Sequence, residues 1–524
     1  MTPKPHLTSP HHPSSWLTIK SHPQARKMNR ITIQGLRCRR IHPRSAARYY
    51  SSPSRPSIAP KPILDMRHIR DNPELYAQTC RSRNYPNLAS NPARILELHT
   101  RRQALQEDAR SLRERANVLK KQLPQLKKED PEGREVEQAL QEAREIKTKL
   151  AGVEKEESEA MAEMEELALA LPNLTSEETP PGADFKVLSY INSDDGNVAL
   201  DHGGKGKAVS HVDIGTKLGI LDFASAGTAS GWGWYYLLGA GAMLEHALVA
   251  YALAVATRYG WTPVSPPSMV YSHISAACGF QPREPNGEQQ VYALAQDERD
   301  RARGVPEMSL TGTSEIALAG MKANTTIAEA DVPLKRVAAS RCYRAEAGAR
   351  GADTKGLYRV HEFTKVELFA WTPADGGATL DVFEEMLDMQ TEILGSLGLT
   401  CRILEMPSHD LGASAARKID VEAWFPSRAV GGTDEEAREA GWGEVTSASI
   451  CTDYQTRRLG TRMRVGDGKL GFPWTVNGTA LAVPRVLAAL LEKGWEPSTG
   501  SVVVPEVLVP WMGGLKRIEG PSKK

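Results

Sequence analysis

The first 64 residues contain no aspartate or glutamate. They do contain twelve lysines and arginines, spread from Lys4 to Lys61, and many hydroxyl side chains. An acid-free segment of this kind is typical of a mitochondrial transit peptide. We therefore predict a leader over residues 1–62 and delivery to the mitochondrial matrix. A disordered basic tail that binds nucleic acid or a membrane would have a similar composition.

Net positive charge is also missing from the remainder of the chain. The 524 residues include 65 Lys and Arg and 64 Asp and Glu. Without the twelve leader cations, 53 basic residues face 64 acidic ones. The body of the protein must therefore bind any polyanion through local basic patches, because its overall charge repels one.

Cysteine pairs and long apolar runs are absent too. The six cysteines show no C-x-x-C spacing, so we expect reduced thiols and neither a zinc ribbon nor a disulfide framework. No run of eighteen or more apolar residues occurs, so we expect no membrane span. The length and composition are those of a globular chain with two or three domains. The cysteines are Cys38, Cys80, Cys278, Cys342, Cys401 and Cys451.

A seven-residue apolar repeat begins after Asn91, in a segment dominated by Ala, Leu, Glu, Lys, Arg and Gln. Two apolar rows that are four and three residues apart form one stripe on a helix, as a coiled coil requires. The rows consist of Leu98, Leu105, Leu112, Leu119 and Leu126, and of Ala109, Ala116 and Leu123.

The repeat is interrupted at Asp130-Pro-Glu-Gly133 and then resumes as far as about Leu171. Proline cannot continue a helix and glycine supports a turn, so the pattern predicts two long helices in an antiparallel hairpin. An alternative role for such a hairpin is dimerisation alone. The second helix carries one row of Val136, Ala143, Leu150 and Met164, and another of Ala139, Ile146, Val153, Ala160 and Leu167.

The chain then divides into a connector and a larger domain. A segment rich in proline and hydroxyl residues after Leu171-Pro-Asn-Leu174 ends the helix. Beyond about residue 210, helical and strand-like segments mix without regular βαβ alternation, which favours an α+β fold. The predicted boundaries are 63–175 for the helical arm, 176–210 for the linker and 211–524 for the second domain.

Polar residues alternate along one strand-like segment. Arg359, His361, Phe363, Lys365 and Glu367 would share one face of a strand. Cations, a carboxylate and a ring suit a nucleotide polyphosphate better than a core, although a solvated sheet face would also fit.

Several short motifs resemble those of class II aminoacyl-tRNA synthetases in their seryl form. Arg344-Ala-Glu346, the Asp353-Thr-Lys-Gly-Leu357 loop and the strand that follows resemble the second motif. Gly260-Trp-Thr-Pro-Val-Ser-Pro-Pro267 resembles the first, and Asn477 to Arg485 the third. Their order and spacing, with the helical hairpin, extend the similarity over almost all of the chain after the leader.

The resemblance implies a seryl-tRNA synthetase fold, which combines a coiled-coil arm with a catalytic antiparallel sheet flanked by helices. It implies ATP-dependent activation of L-serine and its transfer to tRNA(Ser) for mitochondrial translation, in a homodimer that uses ATP and Mg²⁺. Arg344 and Arg485 are the implied catalytic residues. The implied ATP-binding residues are Arg344, Glu346, Arg359, Val360, Phe363, Glu444, Ser447 and Arg485, of which Glu444 and Ser447 would also bind the metal.

The implied serine-binding and tRNA-binding residues come from other segments. Thr313, Glu315, Glu367, Asn477 and Thr479 would bind serine, although the threonines taken alone could be turn or cap residues. The basic residues of the arm would bind tRNA phosphates, although they could equally form a solvated helix face. They are Arg101, Arg102, Arg110, Arg113, Lys120 and Lys121.

A few residues depart from the family pattern. Ala480 and Pro484 replace usual glycines, Gly312 replaces a proline, and Ala352 replaces a common basic residue. Proline at 484 is tolerated only in the first turn of a helix. None of these changes removes a reacting group. Two rival functions remain, a catalytically silent tRNA-binding paralogue and a ligase that loads an amino acid onto a carrier protein.

Overall fold

The computed structural model describes residues 58–129, 131, 133–196, 198, 208–280, 290–345, 356–430, 433–466 and 468–521. Most of the predicted leader, together with Cys38, Glu346 and Ala352, lies outside these residues.

The N-terminal region is helical, and the predicted hairpin is confirmed. Its two long helices meet along the predicted leucine and alanine rows, where Leu105, Leu119 and Ile146 are buried. The helices of this region are α1 (Met66–Asp71), α2 (Pro73–Ser82), α3 (Asn91–Glu129) and α4 (Arg134–Ala170).

The base of the arm is held by packing and by hydrogen bonds. Ile95 and Met164 of the hairpin share a buried cluster with Ile69 of α1. Beyond the end of α4, the Asn173 Nδ2 donates to the carbonyl oxygens of Ser414 and Cys451, each at 2.9 Å. The arm is therefore anchored at its base, while its distal half has a separate apolar cluster of its own.

An eight-stranded sheet forms the centre of the second domain, in the order β1-β10-β11-β12-β15-β9-β8-β4. Neighbouring strands are antiparallel except for the β4–β8 edge pair, which is parallel. This architecture confirms the predicted α+β fold. Its strands are β1 (Lys186–Ile191), β4 (Thr262–Val264), β8 (Leu334–Tyr343), β9 (Glu362–Thr372), β10 (Cys401–Glu405), β11 (Arg417–Trp424), β12 (Trp442–Thr452) and β15 (Trp474–Ala482).

Short strands form four smaller sheets around this centre. They are β2 (Leu221–Asp222), β3 (Tyr236–Leu237), β5 (Met269–Tyr271), β6 (Met308–Leu310), β7 (Thr326–Ile327), β13 (Arg462–Val465), β14 (Lys469–Gly471), β16 (Trp495–Glu496), β17 (Ser501–Val503) and β18 (Arg517–Ile518). The strand β1 lies within the segment predicted as a linker, so that segment contributes an edge of the main sheet.

Helices pack against the main sheet and form the core with it. The helix α7 is the one described helix that is long and apolar enough to cross a membrane, but its residues Leu244, Leu248 and Val255 are buried in this core. The helices of the domain are α5 (His211–Lys217), α6 (Phe223–Ala229), α7 (Ala240–Arg258), α8 (Ser272–Ala277), α9 (Glu298–Ala302), α10 (Ser314–Gly320), α11 (Gly376–Ser396), α12 (Asp434–Ala440), α13 (Tyr454–Leu459) and α14 (Val483–Gly494).

The cysteines of the described residues are free thiols, in agreement with the prediction. Cys80, Cys278, Cys342, Cys401 and Cys451 are buried, and none of them forms a disulfide.

Candidate active site

A cleft opens over the centre of the main sheet, where strands β9, β12 and β15 lie next to one another. Several predicted ATP-binding residues and one predicted serine-binding residue line it together. The lining consists of Arg344, Tyr358, Arg359, Val360, Phe363, Lys365, Glu444, Val445, Thr446, Ser447, Thr479, Ala482, Pro484 and Arg485.

The predicted alternation over residues 359–367 is only partly a strand. Strand β9 begins at Glu362, so Arg359 and His361 lie in the irregular segment before it. Phe363, Lys365 and Glu367 are on the strand at the expected spacing of two. Arg359 nevertheless lines the same cleft as Phe363.

A β-bulge brings Glu444 and Ser447 to the cleft. Residues three apart on a regular strand point to opposite faces. In the pairing of β11 with β12, Val421 opposes Thr446 and Glu422 opposes Glu444, which leaves Val445 without a partner. The extra residue shifts the alternation, and Glu444 and Ser447 therefore both line the cleft.

Arg485 and Glu444 form an ion pair on the wall of the cleft. The Arg485 Nη1 lies 3.0 Å from the Glu444 Oε2, and the guanidinium carbon lies 4.6 Å from the centre of the Tyr358 ring. Burial opposes ionisation of Glu444, but Arg485, Lys418 and Arg344 together lower the pKa of this carboxyl to about 2. Glu444 is therefore an anion at every physiological pH.

Arg344 also lines the cleft, with its guanidinium over an aromatic ring. Its guanidinium carbon is 5.3 Å from the centre of the Phe363 ring, a cation–π distance. Its backbone N–H donates to the carbonyl oxygen of His361 at 2.9 Å. The ring of Phe363, a predicted ATP-binding residue, is buried with the Arg344 guanidinium over it.

At the floor of the cleft, a buried polar cluster joins four of the predicted serine-binding residues. The Lys365 Nζ lies 2.7 Å from the Glu367 Oε2 and 2.9 Å from the Thr313 Oγ1. The Thr479 hydroxyl donates to the same Glu367 oxygen at 3.3 Å. The Glu315 backbone N–H donates to the Thr313 Oγ1 at 3.3 Å, and the Glu315 carboxylate accepts from the Gln455 Nε2 at 2.6 Å.

The two glutamates of this cluster have raised pKa values. Burial is the main cause at Glu315, where the Glu367 carboxylate adds to it and raises the pKa to about 8 in spite of the nearby Lys365. Burial also raises the pKa of Glu367, which the Lys365 ammonium partly offsets. Buried carboxylates with few cations are suited to bind a positively charged ligand.

Asn477 lies two residues before Thr479 on β15 and takes part in a different contact. Its Oδ1 accepts from the Cys451 Sγ at 3.2 Å, so the structure does not join it to the Lys365 cluster by a hydrogen bond. The neighbouring Ala480 is unopposed at a register shift between Thr479 and Leu481. Pro484 lies in the first turn of α14, where proline is tolerated.

The predicted tRNA-binding residues lie on α3, away from the cleft. Four of them are engaged by glutamates of the arm: Arg101 with Glu156, Arg102 with Glu157, Arg110 with Glu114 and Arg113 with Glu154. Lys120 and Lys121 are exposed and form no ion pair with any described residue.

Some residues that contact the predicted site residues had no role assigned from the sequence. Lys365 was placed on the correct strand, and its spacing from Glu367 was the available signal. Tyr358, under Arg485, lies within the second-motif segment but was given no role of its own, and Gln455, beside Glu315, comes from a segment that gave no signal. A larger cavity lies between the arm base and the start of β11. None of the predicted site residues that the structure describes lines it, so the cleft is the better candidate for the active site.

Two protein-family models match the chain. The "Seryl-tRNA synthetase N-terminal domain" matches residues 63–175, and the "tRNA synthetase class II core domain (G, H, P, S and T)" matches residues 296–494.

Similar whole proteins agree with these matches. The mitochondrial serine–tRNA ligase of Saccharomyces cerevisiae is 44% identical over 69% of this chain and 75% of its own length. The serine–tRNA ligase of Rubrobacter xylanophilus is 36% identical over 88% of this chain and 100% of its own. The seryl-tRNA synthetase of Pyrococcus horikoshii, solved with ATP, has a TM-score of 0.74 at 30% identity and covers 88% of this chain and 100% of its own.

Proposed function

The chain belongs to the seryl-tRNA synthetase family, and from that membership we propose which of its residues carry out the reaction. The enzyme uses ATP to activate serine and then loads the seryl group onto tRNA(Ser). In the first step a serine carboxylate oxygen bonds to the α-phosphorus as pyrophosphate leaves. In the second, a hydroxyl of the terminal adenosine attacks the carbonyl carbon of seryl-adenylate and AMP leaves.

Arg344 is the donor that we assign to the α-phosphate. Negative charge grows there as the carboxylate attacks, and a half-buried guanidinium at that position stabilises such charge. ATP binding would lift Arg344 from the Phe363 ring and leave that ring to stack on adenine. Arg485 would cover the base from the other side, while Arg359 holds the outer phosphates, Val360 contacts the nucleotide and Glu346 orients it.

Glu444 and Ser447 are suited to hold a magnesium ion together with the ATP phosphates. An ionised carboxylate and a hydroxyl on one wall are hard oxygen ligands, the type that Mg²⁺ prefers. When bound, the ion would neutralise charge on the leaving pyrophosphate. The Glu444 ion pair with Arg485 keeps the carboxylate oriented in its absence.

The buried cluster at the cleft floor is the proposed serine pocket. Glu367 and Glu315 would pair with the ammonium, and Thr313, Asn477 and Thr479 would bond to the hydroxyl and carboxylate. A buried acceptor that loses its partner costs about 1–3 kcal/mol, so alanine, which lacks the hydroxyl, would be rejected.

The arm is proposed to bind tRNA through backbone phosphates. Arginines that pair with exposed glutamates can exchange those partners for phosphate at little cost, because surface ion pairs are weak. Lys120 and Lys121 need no such exchange. Binding of this kind is strongly salt-dependent.

We also propose a homodimer. Exposed apolar side chains cluster in sequence around β3 and α7, and they include Trp232, Tyr236, Leu238 and Met243. An uncovered group of this size supports a protein interface there. Sedimentation equilibrium would show a species of twice the chain mass, whereas a monomer at micromolar concentration would contradict the proposal.

For location we propose the mitochondrial matrix. The support is the acid-free composition of residues 1–62 and the mitochondrial names of relatives from Saccharomyces cerevisiae and Schizosaccharomyces pombe. A fusion of residues 1–64 to a reporter is expected to enter mitochondria and to be cleaved near Tyr50. A cytosolic full-length reporter would contradict this.

The observation that carries the site assignment is the buried Thr313–Lys365–Glu367–Thr479 cluster directly below the nucleotide cleft. The test is ATP–pyrophosphate exchange by the purified protein with serine, alanine or threonine as substrate. Exchange is expected with serine alone. Equal exchange with alanine would remove the hydroxyl-binding role of Thr313, Asn477 and Thr479, and no exchange with any amino acid would favour a catalytically silent paralogue.

A further inference from the structure

The proposed serine pocket already contains a cation of the protein itself. The Lys365 side chain is 9% exposed and its Glu367 partner is 1% exposed. The Lys365 Nζ bonds to the Glu367 Oε2 at 2.7 Å and to the Thr313 Oγ1 at 2.9 Å. The carboxylate proposed for the substrate ammonium is therefore engaged by a lysine ammonium in the free protein.

Serine and Lys365 would compete for this position. If both ammonium groups bonded to Glu367, two like charges would lie a few ångströms apart where water does not screen them. If Lys365 moved away, the substrate ammonium would take over its hydrogen bonds and the charge of the pocket would not change. Exchange of one cation for another avoids the repulsion.

The nucleotide cleft offers Lys365 a second position. Its side chain lines that cleft together with Arg344 and Arg359. A lysine ammonium on a flexible four-carbon stem can reorient without movement of its strand. ATP phosphates would supply the anion there, because Glu444, the carboxylate among the described residues that line the cleft, is already paired with Arg485.

We propose that Lys365 is an exchangeable counterion, which holds the substrate's ammonium position in the free enzyme and moves toward the ATP phosphates when serine binds. This inference rests on the proposed serine pocket. It implies that ATP promotes serine binding by drawing Lys365 out of the pocket, and that serine promotes ATP binding equally, because coupling between two ligands is reciprocal.

Calorimetric titration of serine, with and without an ATP analogue that has a methylene group between the α- and β-phosphorus, tests the proposal. This analogue blocks adenylate formation, so only binding is measured. In the wild type the analogue should raise serine affinity roughly tenfold or more. In Lys365→Met the ratio of the serine affinities measured with and without the analogue should fall to about one, because no ammonium remains to be moved.

Lys335→Met is the matched control. Lys335 pairs with Glu385 at 2.8 Å and is partly buried, but it lies on β8 outside the pocket. This variant should retain the wild-type ratio. If Lys365→Met does not fold, Lys365→Gln removes the same charge and should give the same loss of coupling.

Other outcomes would overturn the proposal. Full coupling in Lys365→Met would show that the lysine does not link the two sites. Loss of serine binding in that variant with and without the analogue would make Lys365 a fixed part of the pocket. If the wild type itself bound the analogue but not serine, the proposed serine pocket would fail, a result distinct from serine binding without coupling.

Discussion

The arm and the serine pocket both depend on pairs of opposite charges, but the two sets of pairs lie in very different surroundings. In the arm, Arg113 and Glu154 are each about half exposed and 2.8 Å apart. In the pocket, Lys365 and Glu367 are at a similar distance of 2.7 Å and are almost entirely buried. Similar geometry therefore has different consequences in the two regions.

Exposed pairs stabilise a fold weakly, since water solvates the separated ions nearly as well. The arm can hence release its arginines to another anion. A buried pair has lost its hydration, and removal of one partner leaves an uncompensated charge. The pocket should therefore respond strongly to single substitutions, and the arm should respond only when several charges or whole turns are removed.

The largest single effect is expected at Arg344. Arg344→Ala should reduce serine-dependent ATP–pyrophosphate exchange by about two orders of magnitude or more, the scale of losing a transition-state donor. The melting temperature should change little, because the side chain is only half-buried and rests on Phe363. Exchange near the wild-type rate would remove Arg344 from the catalytic role.

The next effect concerns the pH dependence of stability at Glu315. Its pKa is raised from 4.5 to about 8 in the folded protein, mainly by burial. The folded state therefore keeps a proton that the unfolded state loses near its ordinary pKa, and the stability from this group declines as pH rises from about 4.5 to about 8.

Glu315→Gln should remove this decline. Between about pH 6 and about pH 8.5, the melting temperature of the variant should fall less than that of the wild type. Serine should stabilise the wild type more strongly than the variant at the higher pH, because the ionised carboxylate binds its ammonium. Parallel melting curves for both proteins across this range would show that Glu315 is not perturbed.

The smallest effect is expected when only two lysines of the arm are replaced. Replacement of Lys120 and Lys121 by alanine should weaken tRNA affinity a few-fold. The salt slope, which is the slope of log affinity against log salt concentration, should become shallower by roughly 1–2, as expected when about two phosphate contacts are lost. Arg115→Ala removes an exposed arginine that pairs with Glu142 and serves as control. Its melting temperature should be nearly unchanged. A salt slope unaltered in the lysine variant would exclude these two residues from phosphate contact.

The sequence predicted the arm well because its signal is periodic. Leu98, Leu105 and Leu119 are buried as the seven-residue spacing required. The same reasoning did not predict that Arg101 and Arg113 would bond to Glu156 and Glu154, because the pairing register of two helices depends on the length of the turn and on packing.

The cleft was only partly predictable for a related reason. The resemblance to the family motifs implied Arg344, Glu444 and Arg485, and the structure brings them to one cleft. The bulge at Val445 that places Glu444 beside Ser447 follows from strand pairing, which one strand's sequence does not encode. The contact between Lys365 and Thr313 joins segments 52 residues apart and needed the fold.

The structure also changes how the arm should be removed. Excision of residues 92–170 would also remove Ile95 and Met164, which pack with Ile69 of α1 at the arm base. Replacement of residues 112–147 by a short Gly/Ser linker keeps that cluster and deletes the distal one. This truncation therefore removes the distal part of the arm and keeps the packing at its base.

The most direct test of the division of labour between arm and pocket is to measure both half-reactions in this truncated protein. Serine-dependent pyrophosphate exchange should stay within about twofold of the intact enzyme, because every pocket residue remains. The kcat/KM for charging tRNA(Ser) should fall by roughly a hundredfold, since distal phosphate contacts are lost. Charging as efficient as that of the intact enzyme would contradict the account and leave the arm a structural or dimerisation element.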